Sequence, residues 1–173
     1  MMRKVLLLEP NYHNKYPPMG LMKLAMYYRL QGDQVVFYKG DLNNFVLSEL
    51  VQEAIQKLDD LREICTEEIN WRKFTPEIST FIRSGKVQID SDFEKKLTAN
   101  PLCKNWLDDF RKQYRKGSYF ATPRWDKVGV TTLFTFYWDI TIKTIEFAKK
   151  VCKNPQDNLM VGGVMASVVP DAV

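Results

Sequence analysis

Hydrophobic positions divide this chain into two kinds of stretch. Residues 4–9 (KVLLLE) form a short continuous apolar run, the pattern of a strand covered on both faces. Leu21, Leu24, Ala25 and Tyr28 then recur at i, i+3, i+4 and i+7, one stripe of a helix that ends at Gln31-Gly32-Asp33. Residues 34–38 (QVVFY), rich in β-branched and aromatic side chains, read as a second strand. Strand, helix and strand in so short a span make a βαβ unit, whose right-handed crossover sets the first two strands parallel.

The alternation then stops. Residues 41–126 hold no convincing strand and predict several helices. Leu47, Leu50, Val51, Ala54, Leu58, Leu61 and Cys65 keep one face over many turns. Thr75-Pro76 reads as a cap and a first helical position, with Gly85 as the stop; Ser91 to Glu94 fits a capping box. Cys103, Trp106, Leu107, Phe110 and Tyr114 form a further stripe halted at Gly117. Strand pattern resumes at residues 127–136 (KVGVTTLFTF), followed by a helix near 139–152 and a fourth strand at 159–161, closed by Gly162-Gly163. The expected fold is α/β: a parallel sheet of order 2-1-3-4, with residues 41–126 as a helical insertion outside it. A new helix is expected at Pro170-Asp171. Four strands are few for such a sheet, so the expectation is an N-terminal piece of a longer protein whose gene continues past Val173.

Composition narrows the function classes. A net charge of +4 over 173 residues, with scattered basic residues, gives no nucleic-acid signal. Only residues 1–40 are clearly basic, six Lys or Arg against two acidic side chains. Three well-separated cysteines (65, 103, 152) predict buried thiols rather than a disulfide framework or metal motif. No apolar run reaches membrane-spanning length and none resembles a signal peptide, so the expectation is a cytoplasmic protein without membrane contact.

In open α/β sheets ligands bind beyond the carboxyl ends of the strands. The unusual local sequences all fall there: the loop 10–20, residues 39–41, 135–139 and 162–167. His13 is the chain's single histidine, which excludes a multi-histidine metal site within the chain; a polar loop residue is favoured over a catalytic one. Gly162-Gly163 admits two readings, close approach of a ligand or a tight strand-to-helix turn. Tyr137 and Trp138 can stack on a planar ligand or simply pack. The chain has neither G-x-G-x-x-G after its first strand nor a P-loop, so dinucleotide and nucleotide-triphosphate readings lose their support.

Taken in order, the motifs resemble those of the cobalamin-binding domain at the N-terminus of radical S-adenosylmethionine (radical SAM) enzymes. The family's Y-P-P-L-G-L loop stands here as Asn11…Tyr16-Pro17-Pro18-Met19-Gly20-Leu21, with Leu24-Ala25 in the helix. Its third strand is matched by residues 128–133 (VGVTTL), its fourth strand and turn by 160–167 (MVGGVMAS). The match covers both ends of the chain and leaves the insertion unexplained. The resemblance implies a flavodoxin-like (Rossmann-like) sheet in one cobalamin-binding-like domain, 1–173, with 41–126 its helical insertion. Cobalamin would be held above the carboxyl edge, with Asn11, Tyr12, His13, Pro17, Pro18, Gly20, Thr131, Leu133, Thr135, Gly162, Gly163, Val164 and Ser167 as cofactor-binding residues. In the wider fold the nucleotide tail enters a slot: Thr131 would offer its hydroxyl, Leu133 would line the slot, and Gly162 and Gly163 would leave room. The D-x-H-x-x-G motif that ligates cobalt in other members is incomplete, with Asn11 for the aspartate and Tyr16 for the glycine, so His13 is expected at the corrin without ligating its metal. Replacing either glycine with a bulky residue should then abolish corrinoid retention, and His13→Ala should not.

The iron–sulfur motif C-x-x-x-C-x-x-C is absent. The cluster and S-adenosylmethionine are therefore expected only in a downstream catalytic domain, the chain's expected partner, and this chain alone is expected to be non-catalytic. The competing expectation is a degenerate domain without cofactor, a scaffold whose aromatic insertion (Trp71, Trp106, Phe110, Tyr114, Tyr119, with Trp125) meets a protein or substrate.

Overall fold

A computed structural model describes residues 2–13, 17–61, 69–133 and 137–168. Four strands, β1 (Lys4–Glu9), β2 (Gln34–Lys39), β3 (Lys127–Thr132) and β4 (Leu159–Gly163), form one sheet of order β2-β1-β3-β4. All pairs are parallel, with Glu9 opposite Lys39, Leu8 opposite Val130, and Thr132 opposite Gly163. This is the parallel α/β sheet expected from the pattern, with the flavodoxin-like architecture that the resemblance implies. β1 is central, and Val5, Leu6, Leu7 and Leu8 are fully buried, as an uninterrupted apolar run requires.

Side chains alternate across the sheet. Val5 and Leu7 pack with Leu21, Ala25 and Tyr28 of α1 (Met19–Leu30), joined by half-buried Leu24, Val35 and Met160. Leu6, Leu8, Val128 and Val130 point to the other face, where a right-handed crossover carries α6 (Trp138–Val151) from β3 to β4. At the amino end of the sheet two carboxylates pin the start of β1. Asp33 takes the Arg3 guanidinium at 2.9 and 2.6 Å, and Asp126 accepts from the Lys4 N–H at 2.7 Å.

The chain separates into two units, each with its own interior: residues 1–42 with 122–173, and residues 43–121. The second is helical throughout its described residues, containing most of α2 (Leu42–Asp60), α3 (Thr75–Ser84), α4 (Asp92–Ala99) and α5 (Pro101–Lys116). Its core draws on Leu50, Leu58, Trp71, Ile78, Phe93 and Leu107, all at most 3% exposed. Ser91 caps α4 by accepting from the Glu94 N–H at 3.1 Å. The glycine stops at 32, 85 and 117 are left-handed (φ 82°, 74° and 66°).

Several boundaries differ from the sequence expectation. Thr75 does not cap: a 3-10 turn at Trp71–Phe74 precedes it, and its hydroxyl donates back to the Arg72 carbonyl. β3 ends at Thr132 rather than running to 136, and residues 134–136 lie outside those described. A short α7 (Pro155–Asn158) precedes β4, which includes both glycines, and α8 (Val164–Val168) starts directly after them; Pro170-Asp171 lies outside the described residues. Cys103 and Cys152 are buried; Cys65 lies outside the described residues. Among the described residues no helix is long and apolar enough to cross a membrane.

Candidate functional site

The carboxyl ends of β1, β3 and β4 open into a groove of about 420 Å³ on the α1 side of the sheet. One wall is the entry to α1, residues 17–21 with Leu24. The floor is residues 129–133 of β3 and the loop after it. The far wall is residues 160–164, and Glu9 closes the end nearest β1. The size is that of a small-molecule site.

Four glycines line this groove, Gly20, Gly129, Gly162 and Gly163, and the three on its strands act differently. Gly129 is roofed by its own neighbours, since a Cβ there would stand 2.9 Å from Leu7 Cδ2. Gly162 lies two residues beyond Met160 on the same face, and a Cβ there would meet nothing within 4 Å. Its missing side chain therefore keeps the groove clear. Gly163 answers to the fold: its φ is 116°, and a Cβ would overlap the Thr132 carbonyl oxygen and approach the Thr132 nitrogen to 2.9 Å. The Gly-Gly pair thus divides, one residue for the turn and one for the open space.

Thr131 and Thr132 divide in the same manner. Thr132 is buried; its hydroxyl donates to the Gly162 carbonyl at 3.1 Å and accepts from the Ala166 N–H at 3.1 Å. That bridge fixes the end of β4 and the first turn of α8 against β3. Thr131, one residue earlier, turns the other way and lines the groove, half-buried opposite Gly162. Glu9, 3% exposed, receives Lys39 Nζ at 3.0 Å, so its charge is balanced where it meets the groove. Pro18 gives α1 no capping side chain, and the first helical bond is Met22 N–H to the Pro18 carbonyl at 3.0 Å. The N–H groups of the preceding turn carry the positive end of the helix toward the groove mouth.

Eight of the sequence-predicted residues are brought together here: Pro17, Pro18, Gly20, Thr131, Leu133, Gly162, Gly163 and Val164. Asn11, Tyr12, His13 and Ser167 are not in the lining, and Thr135 lies outside the described residues. Tyr12 is buried, its ring 4.8 Å from Tyr137 and its hydroxyl 2.6 Å from Thr141 Oγ1, which itself donates to the Tyr137 carbonyl at 3.0 Å. Burial pushes the Tyr12 phenol up from its ordinary pKa. The residue pins the loop to α6 rather than facing a ligand, and Tyr137 is spent on the same contact. Asn11 and His13 are exposed. Ser167 donates to the Gly163 carbonyl at 3.0 Å, a bond back to the residue that precedes its own helix.

Sequence reasoning missed Glu9, Met19, Leu24 and Met160 as lining residues. Glu9 had a legible signal, a single charge closing an apolar strand at its carboxyl end. The aromatics of the helical unit are mostly structural: Trp71, Phe110 and Tyr119 are buried, and half-buried Trp106 stacks under Lys57 Nζ at 4.5 Å. Among the described residues no group of three or more His, Cys, Asp or Glu could hold a metal ion. What it offers is a flat apolar slot with a hydroxyl, helix N–H donors and a balanced carboxylate. Comparison of the chain with protein families, curated proteins and solved structures finds no match.

Proposed function

We propose that this chain is a corrinoid-binding module whose groove receives the nucleotide tail of cobalamin, presenting the cofactor to a radical S-adenosylmethionine catalytic domain. The carrying observation is Gly162: on the strand that forms the far wall of the groove, opposite Thr131, a Cβ at this position meets only open space. The planar, apolar base of that tail suits a slot of this volume between a sheet and a helix. In this reading Thr131 supplies a hydroxyl to the tail, and Leu133, Leu24 and Met160 make apolar contact with it. Pro17 and Pro18 hold the α1 entry stiff before any ligand arrives, and the helix N–H groups serve its oxygen atoms. When bound, a corrinoid supplies methyl-transfer or radical chemistry at its cobalt. The protein's own part is to bind, orient and shield.

Exposed and outside the groove, His13 takes no part in holding the tail in this reading. Gly163 is also removed from the ligand's side of the reading, because the fold alone requires it. The test is retention of hydroxocobalamin by purified protein after desalting, read from the visible spectrum. Wild type and His13→Ala should both retain it, and Gly162→Leu should lose it. Wild-type protein that emerges colourless, or a loss confined to His13→Ala, overturns the proposal.

A further inference from the structure

Helix α1 is apolar on two sides. Leu21, Ala25 and Tyr28 face the sheet. At about 100° of turn per residue, Met19, Met22, Met26 and Leu30 share the opposite side, and they are 60, 50, 57 and 74% exposed. A helix that is apolar all round is normally buried all round. Lys23 and Arg29 flank the outer stripe on either side, and α1 carries no acidic residue.

We propose that the outer face of α1 docks an amphipathic helix of a partner whose flanks are acidic. The stripe runs i, i+3, i+7, i+11 and is narrow, hemmed in by the two basic residues. That is the form of a helix–helix seam, whereas insertion into a bilayer calls for a broader apolar face. Charge selects the partner's sign. A second copy would set Lys23 and Arg29 against their own likeness with no carboxylate on either α1, and an acid-flanked helix would satisfy both. Methionine suits such a surface, being unbranched and able to repack around a partner's side chains. Met19 at the start of the stripe also lines the groove, but Met22, Met26 and Leu30 do not, so the proposal and its variants are independent of any occupant of the groove.

The experiment uses two dye-labelled helical peptides with the same leucine stripe, one flanked by glutamate and one by lysine, titrated by fluorescence anisotropy. Wild-type protein should bind the glutamate peptide at least about tenfold more tightly, a difference of roughly 1.4 kcal/mol. The exposed double variant Met22→Gln/Met26→Gln should lose that binding. Lys23→Glu/Arg29→Glu should reverse the preference toward the lysine peptide, a gain of binding that no folding defect imitates. Equal affinity for both peptides, binding of neither, or a preference untouched by the charge swap overturns the proposal. So does self-association in sedimentation that Met22→Gln/Met26→Gln abolishes, or co-sedimentation with phosphatidylserine–phosphatidylcholine vesicles that it abolishes.

Discussion

Adding one methyl group to each of two adjacent glycines should have opposite effects. At Gly163 the backbone sits at φ 116°, a conformation L-residues rarely adopt, and the new Cβ would overlap the Thr132 carbonyl oxygen. The dihedral strain costs roughly 1–3 kcal/mol, and forcing apart two paired strands adds about 1–3 kcal/mol more. Gly163→Ala should therefore lose about 2–6 kcal/mol, a large part of the roughly 5–15 kcal/mol a domain possesses. At Gly162 the Cβ meets nothing and φ is not left-handed, so Gly162→Ala should gain up to about 1 kcal/mol from reduced chain entropy in a strand. Because the chain has two units, bulk unfolding can mix their transitions. Hydrogen exchange of peptides covering β3 and β4, measured against urea, reads the sheet alone. If Gly163→Ala and Gly162→Ala protect these strands equally, the division of labour assigned to the pair is wrong.

Three further outcomes follow from side-chain contacts. Hydrogen bonds from the Arg3 guanidinium hold the Asp33 carboxyl below its ordinary value. Its contribution is complete above the ordinary aspartate pKa of about 3.9 and fades as pH falls through the lower folded value. Urea midpoints measured from neutral pH down to about pH 3 should fall less steeply for Asp33→Asn than for wild type, and an unchanged slope would contradict the pairing. Tyr12→Phe removes the 2.6 Å bond to Thr141 and should cost about 0.5–1.5 kcal/mol in urea titration without altering corrinoid retention. Cys103 and Cys152 are each 1% exposed, and burial raises the Cys152 thiol's pKa, so mass spectrometry should find both unmodified by iodoacetamide until urea unfolds the chain.

The sheet was legible in the sequence because each strand announced itself by a local rule. An unbroken apolar run marked the central strand, β-branched residues marked its neighbour, and a helix stripe between them fixed the parallel crossover. The groove's location followed from the carboxyl-end rule together with the turn residues gathered there. Individual roles within it did not follow. Gly162 and Gly163 are chemically identical, and only the register against Thr131 and Thr132 separates an open face from a backbone crossing. The same half-turn sends Thr131 into the groove and Thr132 into a cap for α8. Tyr12 lies in a polar loop, and nothing local indicates that Thr141, far along the chain, draws it into the interior. The outer stripe of α1 was written in the sequence as plainly as the inner one; it was overlooked because a single apolar face already accounted for the helix.

The nucleotide tail is the part of cobalamin assigned to the groove, so the most direct measurement compares cobalamin with cobinamide, which lacks that tail. Equilibrium dialysis of both corrinoids against wild type and Gly162→Leu gives four dissociation constants. Wild type should favour cobalamin by at least about tenfold, or roughly 1.4 kcal/mol, and Gly162→Leu should erase that preference while leaving cobinamide binding unchanged. Equal binding of the two corrinoids by wild type, or a preference for cobalamin that survives Gly162→Leu, would contradict the assignment of the groove.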